Sequence, residues 1–340
     1  MNHFTPSRTV VSLATYSKRY DKLKQTLPYI LGQTLEYDTL VINVQDDISD
    51  EEFSKFKSFE DSTTAIRVVV KKRPAKWRSF NKFIHTVREY PDHHIITCDD
   101  DIRYPEWMFE ELYREHERHK YHIIAHELNP VDIDRAEHKI INKMVADIKL
   151  KQSCFNKYLT GCCLFPKGIF SEETIKKLED YDSFYAITHA MHDELWLWIH
   201  STLDRIPVIG LNCTWTFDLD GAFLPDENSL CRTNGQLMEV IGYDKRINAD
   251  ERYGRKLFGI MNETPITFRV DKDNLLAVCG CMGKINTLYS DFRIVFDCTD
   301  DKFLPSMLNM LVMHVNSFTW SRNVAFKTMI FGDFSNGIND

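Results

Sequence analysis

Short apolar segments alternate with amphipathic segments along the first half of this chain, and this alternation limits the folds open to it. Apolar, β-branched segments typical of strands occupy residues 10–15, 39–44, 65–70, 94–98 and 123–127. Between them, apolar residues recur at helical spacing over 20–31, 50–58, 79–90 and 105–119. Strands that alternate with helices form βαβ units. We therefore expect an α/β fold with a mostly parallel sheet flanked by helices.

The second half has a less regular pattern. The polar stretch 128–150 is compatible with a mobile loop or with a helix that covers the active site. Further strands are predicted at 158–166 and 206–211, and further helices at 171–178 and 193–203. Beyond residue 250 the pattern predicts strands at 266–270, 275–280 and 292–296, then a Met-rich helix at 306–315. We expect a main domain over 1–250 and a C-terminal appendage over 251–340 that serves acceptor binding or oligomerisation.

Composition excludes several classes of protein. The chain has 340 residues, 43% of them hydrophobic, which excludes global disorder. Its 42 Lys and Arg against 50 Asp and Glu give a net charge of −8, which argues against nucleic-acid binding as the main task. The N-terminal residues do not have the pattern of a signal peptide, and no apolar run is long enough to cross a bilayer. Nine cysteines without a CxxC pair indicate reduced, mostly buried thiols. We expect a cytoplasmic protein, with peripheral contact at the inner face of the membrane left open.

The segment Asp99-Asp100-Asp101 follows the predicted strand 94–98. Ligands of open parallel sheets bind beyond the carboxyl ends of the strands. Three carboxylates placed there repel one another unless a cation lies among them, and hard divalent cations prefer oxygen ligands. The alternative is a cap for the helix that starts near Pro105. We favour a metal site.

Two other segments carry groups suited to catalysis or binding. Asp193 and Glu194 open an aromatic-rich helix, where a carboxylate can act as a general base or simply complement the helix dipole. Five basic residues lie within 71–78 and fit a diphosphate, or else a solvated loop. No GxGxxG motif follows a strand, and Gly280 to Lys284 is not a P-loop. The histidines at 116, 119, 122 and 126 are interpreted as surface residues, not metal ligands.

In combination, four segments resemble the GT-A fold glycosyltransferases, specifically the family-two-like bacterial enzymes of surface polysaccharide (capsule and lipopolysaccharide) assembly. VVSLATYSKR resembles their first strand and turn, and VINVQDD their second strand with an acidic pair. IITCDDDIRYP resembles their DxD segment, and TGCCLFPKG followed by HDELWLW resembles their glycine-containing strand and later acidic helix. The resemblance covers about residues 8–215 and implies a GT-A (Rossmann-like) fold. The later acidic pair is Asp193-Glu194 where the family often has two aspartates, and Cys162-Cys163 replace small residues.

This resemblance implies a metal-dependent, inverting hexosyltransferase. Its donor is a nucleotide-diphosphate sugar, with a UDP-sugar favoured, and its acceptor is a saccharide or a lipid-linked saccharide. Asp99 and Asp101 are implied ligands of Mn²⁺ or Mg²⁺. Asp193 is the implied base, with Glu194 orienting the acceptor or itself acting as the base, and Trp196 contacts the acceptor. The implied donor-binding residues are Thr15, Tyr16, Asp47, Lys76, Arg78, Asp99, Asp100 and Gly161.

Two other functions stay open at this point. One is a sugar nucleotidyltransferase, which usually has a glycine-rich basic turn after its first strand, whereas this turn is ATYSKR. The other is a non-catalytic relative that binds a polysaccharide or a protein partner. The sequence does not specify the donor sugar, the linkage or the oligomeric state.

Overall fold

A computed structural model of the protein describes residues 8–61, 65–126, 128–129, 131–142, 152–155, 157–158, 161–211, 243–264, 266–270, 292–297 and 329–332. Its strands, β1 to β15 in chain order, are Thr9–Thr15, Thr39–Gln45, Arg67–Arg73, His94–Cys98, Ile123–Ala125, Leu128–Asn129, Val131–Asp134, Lys139–Asn142, Gln152–Cys154, Lys157–Tyr158, Cys162–Phe165, Val208–Gly210, Ile266–Val270, Phe292–Asp297 and Met329–Gly332. Its helices, α1 to α9, are Tyr20–Leu31, Asp50–Lys57, Asn81–Glu89, Met108–Arg118, Glu172–Leu178, Tyr181–Thr188, Asp193–Leu203, Tyr243–Ala249 and Gly254–Glu263.

One large sheet organises the molecule. Its strand order is β15-β14-β13-β9-β12-β5-β11-β4-β1-β2-β3. The strands β4, β1, β2 and β3 run parallel, as do β12 with β5 and β13 with β14 and β15. Within the described part of this sheet, antiparallel pairing is confined to β11 and β9, each of which pairs with a strand on both sides. The predicted α/β, Rossmann-like fold with a mostly parallel sheet flanked by helices is confirmed.

The core lies on both faces of this sheet because side chains alternate along each strand. In β1, Val10 packs into one apolar cluster, whereas Val11 and Leu13 pack into the other. The cysteines Cys98, Cys162 and Cys163 are buried thiols, as predicted for them. Within the described residues, no helix has the length and apolar content needed to span a bilayer.

The structure corrects the prediction for 128–150. The described part of this stretch forms the short strands β6, β7 and β8, with β7 and β8 paired antiparallel, and contains no helix. Residues 143–150 lie outside the described part. Three helices, α6, α8 and α9, were not predicted. The eight residues of α6 follow closely on α5, and the side chain of Asp180 caps its N-terminus by accepting a hydrogen bond from the Ser183 amide.

Strands after residue 250 extend the same sheet. Here β13 pairs antiparallel with β9, and β14 and β15 continue outward in parallel. The strands predicted at 266–270 and 292–296 are therefore present. The predicted strand 275–280 and the predicted helix 306–315 lie outside the described residues. The division at residue 250 stays a prediction.

The histidines interpreted as surface residues are buried. His116 and His119 lie at the end of α4, which packs against β5 and β11, and His122 and His126 flank β5. The prediction of exposure was wrong because the end of this polar helix is covered by the sheet. Buried His116 stacks at a tilt on His94 with ring centroids 4.6 Å apart.

Candidate active site

The parallel strands bring the predicted acidic residues to one edge of the sheet. Strands β1, β2 and β4 end at Thr15, Gln45 and Cys98, and the carboxyl ends of parallel neighbours lie at the same edge. Asp47 follows β2 by two residues, and Asp99 follows β4 directly. Each of these acids is therefore positioned by a buried strand.

A buried lysine joins two of the predicted acids. The Nζ atom of Lys82 lies 2.7 Å from Oδ1 of Asp99 and 3.5 Å from Oδ2 of Asp193. Burial would lower the pKa of Lys82, but the nearby Asp193 and Asp99 carboxylates raise it above its ordinary value, so the amine is a cation. Ser79 donates a hydrogen bond to the other oxygen of Asp193, with Oγ 2.8 Å from Oδ1. Residues 99 and 193 are thus brought together by α3.

Asp100 is a structural residue in this arrangement. Its side chain is buried and accepts hydrogen bonds from Thr15 Oγ1, at 2.6 Å, and from the Arg19 guanidinium. The hydroxyl of Thr26 donates to its backbone oxygen at 2.8 Å. The donor contacts of Asp100 and Thr15 stay predictions, and the structure shows these two buried side chains hydrogen-bonded to each other.

Asp101 shares the Arg19 guanidinium, with Arg19 Nη2 3.0 Å from its Oδ2. Burial and the neighbouring Asp99 carboxylate raise the pKa of Asp101, while Arg19 acts in the opposite direction. Arg19 and Lys82 are shared by four carboxylates, those of Asp99, Asp100, Asp101 and Asp193, so two cations face four acids in this region. Such a region attracts a further cation.

Gly161 leaves room beside Asp99. It precedes β11, and a Cβ atom at this position would come within 2.5 Å of Asp99 Oδ2. The Tyr104 hydroxyl holds this approach in place, because it accepts from the Asp99 amide at 2.8 Å and donates to the Gly161 carbonyl. Gly161 thus contributes space to the site and carries no binding group of its own.

The carboxylates at this edge of the sheet can supply some, but not all, of the ligands of a divalent cation. In the described chain, no group of three or more His, Cys, Asp or Glu side chains is arranged to hold a metal. Asp99 and Asp101 supply two carboxylates of the type that Mg²⁺ and Mn²⁺ prefer, and the Asp99 side chain is 38% exposed. The other ligands would be water and phosphate oxygens, as is common for Mg²⁺.

The structure distinguishes the two acids that begin α7. Burial would raise the pKa of Glu194, but the hydrogen bond with His192 (Nδ1 to Oε1, 3.0 Å) and the nearby Lys157 lower it to about 2. A carboxylate with so low a pKa accepts a proton poorly near neutral pH. Asp193 is the acid connected to Asp99 through Lys82, so it is the better candidate for a base.

Trp196 does not have a free face for an acceptor. It is fully buried, and its indole nitrogen donates to the Leu178 carbonyl at 3.1 Å. The predicted acceptor contact is corrected because α7 turns this ring into the core. Trp198 is buried in the same way and donates to the Phe155 carbonyl.

A cavity of about 390 Å³ opens beyond the ends of β1, β2 and β3, and its lining includes Asp47 but none of Asp99, Asp101 and Asp193. This volume lies within the usual range for small-molecule sites. Its lining contains four of the predicted donor-binding residues together with six that were not predicted: Tyr16, Asp47, Lys76 and Arg78, and Gln45, Ala75, Tyr181, Tyr185, His189 and Ala190.

The basic segment 71–78 divides into two parts. Lys71 and Arg73 pair with Glu89, and Lys72 pairs with Asp50, so these three cations are held by surface acids. Lys76 and Arg78 line the cavity, and neither has a carboxylate within ion-pair distance among the described residues. The cavity is therefore supplied with two cations for an anionic ligand.

Sequence reasoning missed Lys82 and the α6 residues. Lys82 stands alone in an amphipathic helix, beside a denser basic segment that attracted the prediction. The spacing of Tyr181, Tyr185 and His189 by four residues was a usable signal, because such residues share a helix face.

No protein-family model and no curated protein matches the sequence. The fold is similar to that of the mannosyltransferase PcManGT from Pyrobaculum calidifontis, solved in complex with GDP-Man and Mn²⁺. The two chains are 10% identical, the alignment covers 94% of this chain and 89% of that chain, and the TM-score is 0.47. A likeness at this level does not identify an activity.

Proposed function

We propose that the protein is a metal-dependent glycosyltransferase that uses a nucleotide-diphosphate sugar, with a UDP-sugar favoured. The observation that carries the proposal is the link Asp99–Lys82–Asp193, at 2.7 Å and 3.5 Å, at the strand edge. It joins a candidate metal ligand to a candidate base. The resemblance to family-two-like bacterial enzymes suggests an acceptor saccharide, free or lipid-linked, in surface polysaccharide synthesis.

The donor would occupy the cavity and extend from it to the acidic edge of the sheet. Lys76 and Arg78 provide positive charge for the diphosphate, and Tyr16 and Asp47 provide a ring and a carboxylate for the nucleoside. Asp99 and Asp101 would hold the Mn²⁺ or Mg²⁺ ion. When bound, this ion supplies charge stabilisation for the departing diphosphate.

Asp193 would act on the acceptor. It is the first residue of α7, and its Oδ2 atom lies 3.5 Å from the Lys82 amine. It would remove the acceptor hydroxyl proton, and attack from the face opposite the leaving group would invert the anomeric carbon. Replacing a general base typically costs about 10²- to 10⁴-fold in rate, so we expect that loss for Asp193→Asn.

The test is thermal unfolding with UDP, GDP, CMP or TDP, each with and without Mn²⁺. A ligand at about 100 times its Kd adds about 2.7 kcal/mol of stability. That corresponds to several degrees, at about 2–4 °C per kcal/mol for chains of 150–250 residues. We expect one nucleotide to raise the Tm in a Mn²⁺-dependent manner.

The variant Asp101→Asn should abolish this shift. Asp92→Asn, which changes an exposed acid, is the matched control and should keep it. Product formation from the corresponding nucleotide sugar then separates an enzyme from a binding protein. A Tm that no nucleotide changes would overturn the proposal.

A further inference from the structure

Three aromatic rings form a ladder on α6 and its C-terminal end. The rings of Tyr181 and Tyr185 have centroids 6.0 Å apart, and those of Tyr185 and His189 have centroids 5.8 Å apart, each pair inclined at 31°. Tyr185 is 53% exposed, and it is one of the few exposed tyrosines among the described residues. All three rings line the cavity, so the ladder offers it an aromatic surface.

The charge beside the ladder indicates what kind of ligand it contacts. The Lys76 ammonium lies 4.5 Å from the centroid of the Tyr181 ring, and Arg78 lines the same cavity. A ligand that contacts both rings and cations is planar at one end and anionic at the other. A nucleotide has both properties, whereas a neutral saccharide does not call for the two cations.

The backbone around the ladder is strained. Five non-glycine residues have positive φ in the described chain, and three of them line the cavity: Arg78 (47°), His189 (53°) and Ala190 (58°). Such conformations are uncommon for residues with a side chain, and they concentrate where a ligand is held. The left-handed His189 ends α6 and keeps its ring stacked on Tyr185.

We infer that the α6 ladder is a stacking face for the nucleobase of the bound nucleotide, with Tyr185 as its main contact. The inference rests on the proposed function. It extends that function to the wall of the cavity that is formed by α6 and not by the strand ends. Stacking of a base on an aromatic side chain is worth about 1–3 kcal/mol. The ladder thus binds the base, and Lys76 and Arg78 bind the phosphates.

The test compares two probes by calorimetry in the presence of Mn²⁺: UDP, and inorganic pyrophosphate, which has no base. We expect Tyr185→Leu to weaken UDP binding by about 5- to 150-fold, the range that loss of one stacked base implies. Pyrophosphate binding should change less than about twofold. Tyr185→Phe, which keeps the ring, should bind UDP like the wild type.

Tyr29→Leu is the matched control, because Tyr29 is 43% exposed on α1 and does not line the cavity. Equal UDP affinity in Tyr185→Leu and the wild type would overturn the inference and leave the proposed function intact. Equal weakening of UDP and pyrophosphate would overturn it as well. If the wild type binds neither probe, nor GDP, CMP or TDP, the proposed function fails and the inference fails with it.

Discussion

Lys82 is the residue on which the candidate site depends most. Its side chain is almost fully buried, and the two carboxylates that it pairs with belong to different elements, the loop after β4 and the start of α7. Removing one partner of a buried ion pair leaves the others uncompensated in a poorly solvated place. Lys82 is therefore required for stability as well as for the arrangement of the acids.

We expect Lys82→Met to lower the free energy of unfolding by about 3–5 kcal/mol, the usual loss for a broken buried pair. Lys71→Met is the control, since Lys71 forms a half-exposed pair with Glu89 and should cost at most about 1 kcal/mol. Urea unfolding of both variants measures the difference. A Lys82→Met protein no less stable than Lys71→Met would contradict this account.

At the residue scale, the sequence indicated part of the site. Asp99 and Asp101 could be singled out because neighbouring carboxylates after an apolar strand repel one another unless a cation lies among them. Asp193 could be singled out only together with the other segments, because an acid at the start of a helix also complements the helix dipole. Lys82 could not be found in this way, since an isolated lysine in an amphipathic helix is ordinarily solvated. The burial of Asp100 and Trp196 could not be foreseen either, because burial depends on which way a side chain points in the folded chain.

At the scale of elements, the contact between β11 and the loop after β4 shapes the site. The strands pair antiparallel with Cys162 opposite Cys98, which brings the adjacent Gly161 against Asp99. Parallel strands and their helices could be predicted from periodicity. The short β9 and the antiparallel insertion of β11 could not, since pairing partners far apart in sequence leave no local pattern.

We expect Gly161→Ala to displace the Asp99 carboxylate, because the added methyl group would lie within 2.5 Å of Oδ2. The Mn²⁺-dependent rise in Tm with nucleotide should be lost. Gly259→Ala in α9 is the control, because nothing lies within 4 Å of the added Cβ. This change should raise the free energy of unfolding by about 0.5–1 kcal/mol, since alanine favours a helix over glycine. An unchanged nucleotide response in Gly161→Ala would show that Asp99 does not need this space.

At the scale of the whole molecule, buried histidines make stability dependent on pH. Burial lowers the pKa of His94 to about 4 and those of His116, His122 and His200 to about 3. These rings are therefore neutral in the folded protein near neutral pH. Unfolding returns them to an ordinary pKa of about 6.5.

The sign of the effect follows from proton binding. Between about pH 6.5 and the lowered values, the unfolded chain binds more protons than the folded one, so stability falls as the pH falls. The contribution is complete above about pH 6.5. At pH 5 each such histidine costs about 2 kcal/mol, at 1.36 kcal/mol per pH unit below 6.5. Four of them together rival the typical total stability of about 5–15 kcal/mol.

We expect urea unfolding to give a nearly constant free energy above pH 7 and a steep loss between pH 6.5 and pH 5. His200→Leu isolates one contribution, because His200 is buried edge-on against Trp196, with ring centroids 4.4 Å apart, far along α7 from Asp193. This variant should lose about 2 kcal/mol less than the wild type between pH 7.5 and pH 5. If both proteins lose the same amount, His200 is already protonated in the folded state, and burial does not control its charge.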